Sequence, residues 1–292
     1  MDRLRDRGAL DLVAVVTQPD RAGNRGRLTV PAVKARALGL GVHVLQPVRI
    51  DKDALSEIVT LRPELLVWAA YGNRIPRALL EFVNGRAVNV HASLLPRWRG
   101  AAPIAHAILA GDKETGVTLM EGTAALDEGP ILAQEPTAVG EAESAGDLTQ
   151  RLAVLGAGLL ERELPPYIAG ELEGTPQDGS RALPAPKLTS RDGELDFSRP
   201  ADELVRRVRA LTPEPGAWTT FRGERLVVAG SSVSGGTPKE HGVLEVHDGH
   251  PEVAAGAGWL RLDVVRPAGK RTMRGEDWAR GLRDIAGARL PS

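Results

Sequence analysis

Asn89-Val90-His91-Ala92-Ser93-Leu94-Leu95-Pro96-Arg97-Trp98-Arg99-Gly100-Ala101-Ala102-Pro103-Ile104 is the stretch on which the reading of this chain turns. It leaves a short β-branched run (87–90), crosses a loop punctuated by Pro96 and Gly100, and enters a helical period at 103–109 with Pro103 at its first turn. The same alternation repeats on either side. Residues 12–17, 42–45, 65–69 and 117–120 read as further strands, and 30–38, 53–61 and 76–82 as helices between them. This β-α order predicts an α/β domain with a Rossmann-like, mostly parallel sheet covered on both faces, whose ligands gather at the carboxyl ends of the strands.

Helical spacing returns over 145–169, and Gly, Pro, Ser and Asp then concentrate up to Ser190. The organisation expected is a first domain over 1–170, a linker over 171–190 and a second domain over 191–292. After a helix at 200–211, the second domain reads as strands at 217–221, 225–228, 243–246, 253–255 and 259–264. Gly223, Gly235, Gly236, Gly249 and Gly258 punctuate them, which predicts a small antiparallel domain, an OB-like β-barrel or a sandwich, with a closing helix at 280–285.

Composition narrows the function classes. With 292 residues the chain is long enough for two cores, and 42% hydrophobic with 26% charged residues is an ordinary globular mixture. There is no cysteine, so disulfides, thiolate metal sites and a cysteine nucleophile are excluded. His241, His247 and His250 flank Asp248-Gly249 without metal-ligand spacing, so no metal is expected. No apolar run reaches the ~18 residues of a membrane span and the start lacks a signal-like apolar region, so a cytoplasmic protein without membrane contact is expected. Net charge is −1, so any attraction to nucleic acid must be local; residues 261–292 carry eight basic and four acidic side chains.

Asn89 and His91 are two apart at a strand end, so their side chains leave one face together. An amide donor beside an imidazole suits acyl transfer, the amide holding a developing oxyanion and the imidazole moving a proton or adding a second donor. The same residues also serve as a packing histidine and a turn-capping asparagine. Asp127 lies in a loop after the 117–120 strand, where an Asx-turn is one reading and orientation of His91, or acceptance of a proton from an attacking amine, is the other.

The pattern then becomes specific. Asn89-x-His91, the run from Ser93 through Arg97-Trp98-Arg99-Gly100 to Ile104, Gly111-Asp112-x-x-Thr115-Gly116-Val117-Thr118 and Asp127 resemble the signature of the methionyl-tRNA formyltransferases. Val16-Thr17-Gln18-Pro19-Asp20, Ala70-Tyr71-Gly72, Pro186-Lys187-Leu188, Pro215-Gly216-Ala217 and Gly269-Lys270-Arg271 follow in that family's order, over essentially the whole chain. The resemblance implies transfer of a formyl group from 10-formyltetrahydrofolate, without metal, to the α-amino group of methionyl initiator tRNA, for translation initiation. It implies catalytic Asn89, His91 and Asp127, and folate-binding Tyr71, Gly72, Ser93, Leu94, Leu95 and Pro96. It also implies tRNA contacts by Arg21, Arg25 and Arg27 of an Arg-Gly-rich loop and by Lys270 and Arg271, in a monomer. Two other readings share parts of the pattern: a small-molecule, amino-sugar N-formyltransferase, and a truncated non-catalytic tRNA or folate binder.

Some features depart from the family. The resemblance implies an apolar first strand with a Gly-Thr-Pro-Glu-Phe-like turn at the centre of the sheet, whereas Met1 to Leu10 resembles only the tail of the helix that follows it. The reading is a mis-set start, and the chain as written is expected to fold poorly because two strand edges lack a partner. Asn73-Arg74 replaces apolar residues expected at the folate pocket. Glu128, beside Asp127, is expected to act on its charge, with Arg74 as a counterweight.

Overall fold

The computed structural model describes residues 2–6, 8, 10–22, 28–285 and 287–291. The chain divides into two compact units, each assembled from several stretches. The first comprises Met1–Ala101, Gly116–Pro136 and Leu152–Pro184, and the second Ala102–Thr115, Thr137–Arg151 and Ala185–Ser292.

The first unit opens with α1 (Asp2–Asp6), β1 (Ala14–Val16) and a two-stranded antiparallel ribbon, β2 (Arg21–Ala22) with β3 (Leu28–Thr29). There follow α2 (Ala32–Gly39), β4 (His43–Leu45), α3 (Lys52–Thr60), β5 (Leu66–Ala69), α4 (Arg77–Phe82) and β6 (Ala87–His91). Local chemistry sets the helix starts. Pro31 and Pro76 precede α2 and α4 where a missing N–H costs nothing, and Asp51 caps α3 by accepting the Ala54 N–H at 3.1 Å. Leu45, Ile58 and Leu79 pack one strand and two helices together as a core. The α/β reading holds, with β1 parallel to β4 and β5 parallel to β6.

Of two features of the sheet, the first was not legible in that reading and the second is the pair of unpartnered strand edges it expected. First, β7 (Glu114–Glu121) runs antiparallel to β6, pairing Asn89 with Met120 and His91 with Thr118, and a further strand, β8 (Ile131–Ala138), forms the edge of the sheet. Second, β1–β4 and β5–β6–β7–β8 are separate sheets. Where the sequence reading expects a central strand there is a cavity of about 1380 Å³, lined by Ala14, Val15 and Val16 of β1 and by Leu66, Val67 and Trp68 of β5.

The 25-residue α6 (Ala145–Ala169) begins at a reciprocal cap: the Asp147 carboxylate accepts the Ser144 N–H at 3.1 Å, and the Ser144 hydroxyl accepts the Asp147 N–H at 3.2 Å. The following stretch is tied down along its length. Thr175 and Ile131 exchange both backbone hydrogen bonds at 2.8 Å, and Leu183 O accepts the Arg99 N–H at 2.9 Å.

The second unit contains α5 (Pro103–Leu109), α7 (Ala201–Leu211) and a curled antiparallel sheet: β9 (Ala217–Phe221), β10 (Glu224–Ser234), β11 (Val243–His247), β12 (His250–Ala254), β13 (Trp259–Pro267), β14 (Met273–Arg274) and β15 (Ala288–Arg289). Its order is β15-β11-β12-β13-β10-β9, with β14 beside β13, so among the described residues the sheet curls as a half-barrel whose ends, β15 and β9, are not paired to each other. Leu204, Val208 and Leu211 of α7 enter a core with Leu195, Phe197, Leu226, Leu244 and Leu260. The closing helix is α8 (Gly275–Arg280), earlier than the expected 280–285. Its first turn carries Glu276 and Asp277 at the positive end of the helix dipole, and Trp278 and Ala279 are its buried anchors.

Candidate active site

β6 is buried along most of its length, and its last turn of side chains carries the polar pair: Asn89 and His91 are each only 6% exposed. Both leave the same face of the strand, as two-residue spacing requires. The loop after β7 begins beside Val88, at the opposite end of β6, and doubles back so that Asp127, 8% exposed, reaches them. Asp127 Oδ1 accepts an N–H of Asn89 at 3.2 Å and lies 3.6 Å from His91 Nδ1, while Oδ2 accepts the Gly100 N–H at 2.9 Å. The structure thus brings Asn89, His91 and Asp127 into one cluster.

The hydrogen-bond partners fix which atoms are free to react. His91 Nε2 is 2.9 Å from the Trp98 carbonyl, which can only accept, so Nε2 is the donor there and Nδ1 is the nitrogen that faces Asp127. Trp98 holds that carbonyl in place with a φ of +64°, a left-handed conformation rare for a bulky residue and costing of order 1–3 kcal/mol; Asp127 has a φ of +52°. One N–H of the Asn89 amide is used by Asp127, leaving the second as a donor.

The loop between β6 and α5 is braced from beneath. Thr118, fully buried on β7, donates its hydroxyl to Ser93 O at 2.6 Å and accepts the Leu95 N–H at 3.1 Å and the Gln134 amide at 2.8 Å. Gln134 also reaches Leu95 O at 2.9 Å, and the Ser93 hydroxyl donates to Arg97 O at 2.6 Å. Ser93, Leu94, Leu95 and Pro96 therefore form a fixed wall beside His91. Tyr71 and Gly72 follow the carboxyl end of β5, which is parallel to β6, and Gln18 donates to Tyr71 O at 3.3 Å. Gly72 has a φ of +77° and a Cβ there would stand 3.1 Å from Gln18 Nε2, so glycine serves both the turn and the close approach. Burial pushes the Tyr71 phenol above its ordinary value, offset in part by the Asn73 side chain. Asn73 itself donates to Val48 O at 3.1 Å.

The counterweight expected for Glu128 is corrected. Its exposed carboxylate turns toward Arg99, 3.5 Å away, while Arg74 is exposed; the sequence offered Arg74 only because it lay in the neighbouring motif.

The remaining predicted contacts lie elsewhere. Arg21 is exposed on β2 and hydrogen-bonds Gln18, whereas Arg25 and Arg27 fall outside the described residues. The ribbon's base is held by Asp20, which accepts from Lys34 at 2.7 Å and from Gln46 at 2.8 Å. These hydrogen bonds keep the Asp20 carboxyl below its ordinary value against the opposing effect of burial. In the second unit Lys270 and Arg271 are exposed in the turn between β13 and β14. Among the described residues no group of three His, Asp or Glu side chains is arranged to hold a metal ion, and no helix is long and apolar enough to cross a membrane. Two residues that the sequence reading did not single out as site residues, Gln134 and Gln177, touch the site loops; neither belongs to a motif with a recognisable spacing.

An Asn-x-His strand end answered by a loop aspartate, on an α/β sheet followed by a curled β domain, defines a formyl transferase. The formyl transferase family profile matches residues 1–164, and that of the formyl transferase C-terminal domain matches 187–283. Within this class the chain belongs to the methionyl-tRNA formyltransferases. It is 45% identical over 273 residues to the methionyl-tRNA formyltransferase of Myxococcus xanthus, spanning 93% of this chain and 88% of that one. It is likewise 45% identical over 280 residues to that of Halorhodospira halophila, with 94% and 90% covered. Solved structures share the fold at lower identity. An N-formyltransferase from Helicobacter canadensis, crystallised with folinic acid and dTDP-3-aminofucose, aligns with a TM-score of 0.63 at 17% identity over 88% of this chain and 89% of its own. HypX from Aquifex aeolicus in complex with tetrahydrofolic acid aligns with a TM-score of 0.62 at 18% identity over 83% of this chain, which spans 43% of HypX.

Proposed function

We propose that the chain transfers the formyl group of 10-formyltetrahydrofolate to the α-amino group of methionine on initiator tRNA, with Asn89, His91 and Asp127 as its catalytic residues. The observation that carries the reading is the cluster at the end of β6, in which one carboxylate touches the amide and faces the imidazole. When the amine attacks the formyl carbon, a tetrahedral oxyanion forms. The second Asn89 N–H is a ready donor to it, prepositioned because the first is held by Asp127. The proton lost by the amine has two acceptors, the Asp127 carboxylate and His91 Nδ1, which lie 3.6 Å apart and can share it. Protonated at Nδ1, the imidazole adds positive charge beside the oxyanion; as the tetrahedral species collapses, the bond from the formyl carbon to N10 breaks and the proton shared by His91 and Asp127 passes to N10 of the departing tetrahydrofolate.

Tyr71, Gly72 and the Ser93–Pro96 wall are the proposed folate contacts, since both segments follow carboxyl ends of parallel strands, where such sheets bind ligands. Arg21, Arg25 and Arg27 on one loop and Lys270 and Arg271 on another are the proposed tRNA contacts; exposed guanidinium and ammonium groups suit phosphates. All three catalytic groups come from one chain, so a monomer suffices, and the reaction belongs in the cytoplasm with the charged initiator tRNA.

The test is acceptor choice. With 10-formyltetrahydrofolate as donor, the purified chain is expected to formylate methionyl initiator tRNA and to leave a dTDP-linked amino sugar unreacted. Preferential formylation of the sugar overturns the acceptor, and binding of both substrates without transfer overturns the catalytic assignment.

A further inference from the structure

Residues 171–184 are mostly exposed, yet the Gln177 side chain is half-buried and divides its hydrogen-bonding capacity between the loop that carries Asp127 and the Arg99 side chain. Its amide nitrogen donates to Asp127 O at 3.0 Å and to Gly129 O at 2.7 Å. Its oxygen accepts two hydrogen bonds from Arg99, from Nε at 3.0 Å and from a terminal nitrogen at 2.8 Å. Arg99 lies next to Gly100, whose N–H holds the Asp127 carboxylate, and its other terminal nitrogen faces Glu128 at 3.5 Å. The contacts close a ring: Arg99 side chain, Gln177 amide, Asp127 carbonyl, Asp127 carboxylate, Gly100 N–H, and back along the chain to Arg99.

We propose that Gln177 is a positioning residue for the transfer reaction, which with Arg99 sets the orientation of the Asp127 carboxylate by gripping the backbone on both sides of Glu128. The proposal rests on the catalytic reading of Asp127 above. Asp127 sits at a φ of +52°, a conformation unfavourable for a non-glycine residue, which persists only where surrounding contacts over-determine it. The carboxylate's own partners, Asn89 and Gly100, fix one end of the residue, and Gln177 fixes the other. A neutral amide is the suitable latch. It presents two donors to two carbonyls and one acceptor to a guanidinium, which a carboxylate or an ammonium of similar length cannot do.

Gln177→Leu keeps the volume and removes every hydrogen bond. It is expected to lower kcat by about 10- to 100-fold, the scale of a displacement of about 1 Å in a positioned group, while KM for both substrates stays within about twofold. Gln177→Glu retains the acceptor for Arg99 but sets an anion against two carbonyls, and is expected to lose at least as much kcat. In an Asp127→Asn background, Gln177→Leu is expected to have almost no further effect on kcat, because a residue that acts through Asp127 has nothing left to position; full multiplication of the two losses overturns the proposal. A second readout needs no activity: hydrogen exchange in the 122–131 segment is expected to accelerate at least tenfold in Gln177→Leu while exchange in β6 is unchanged, and unchanged exchange in the loop overturns the proposal. If the wild-type chain does not formylate methionyl-tRNA, the functional reading fails on its own and the exchange measurement still decides the latch.

Discussion

Replacing Thr118 with Val changes one hydroxyl for a methyl group at nearly constant shape, beneath the loop that presents Trp98 to His91. In the wild type that hydroxyl satisfies Ser93 O and the Leu95 N–H and accepts from Gln134. Valine leaves the first two without partners in a buried setting, whereas Gln134 keeps its hydrogen bond to Leu95 O. At ~1–3 kcal/mol for each buried group left unsatisfied, two groups cost about 2–6 kcal/mol, a large share of a domain stability of ~5–15 kcal/mol. Urea denaturation should therefore show a lower midpoint at unchanged slope. The folded fraction should be impaired as well, because a loop that relaxes away from β7 carries the Trp98 carbonyl off His91 Nε2; kcat is expected to fall at least tenfold. Thr118→Ser, which keeps the hydroxyl and loses a methyl, should cost only about 0.5–1.5 kcal/mol and retain most of the activity. A Thr118→Val variant within about 0.5 kcal/mol of wild type, and with wild-type kcat, would refute the view that this hydroxyl organises the site loop.

Other expectations follow from particular side chains. Hydrogen bonds from His247 to Glu252 and Glu245, at 2.9 Å each, raise the imidazole above its ordinary value near 6.5, with Arg261 on the far side of Glu252 and the Trp259 ring in a T-shaped contact with the imidazole. A raised histidine contributes stability that is complete below pH 6.5 and is lost as pH climbs through the folded value, so the Tm difference between wild type and His247→Gln should shrink from pH 6 to pH 9; a difference that grows over this range contradicts the ion-pair account. Arg25→Ala is expected to raise KM for methionyl-tRNA at least tenfold and leave KM for the folate donor within twofold, and equal losses would place the loop at the folate instead. Gly129→Ala would drive a Cβ into Glu121 O, so the backbone must shift; thermal melts should show a loss of about 1–3 kcal/mol together with reduced activity, and wild-type behaviour would mean that this turn is not held as described.

The β-α alternation was legible because buried strands such as β6 are nearly continuous in β-branched and small residues, and because Pro103 marks a helix start chemically. β8 was not legible. As an edge strand with one face toward solvent it contains Gln134, Glu135 and Pro136, a composition that reads as loop. α8 was placed too late because its buried anchors, Trp278 and Ala279, span less than one turn and show no helical repeat. Asn89 and His91 announced themselves by spacing, and Asp127 by the resemblance. Gln177 acts on backbone carbonyls 48 and 50 residues away, and a hydrogen bond to a carbonyl leaves no demand on the identity of its partner for a motif to record.

The most direct test of the account is the single-turnover rate of formyl transfer from 10-formyltetrahydrofolate to methionyl-tRNA in Asp127→Asn, with binding of both substrates measured on the same preparation. The amide keeps the shape of the side chain and can accept from Asn89 or from Gly100, though not from both, and it cannot take the amine's proton. The account predicts a rate at least 100-fold below wild type, on the scale of general-base catalysis, with both dissociation constants within about threefold. A rate within threefold of wild type, with binding intact, would contradict the assignment of this cluster as the catalytic centre.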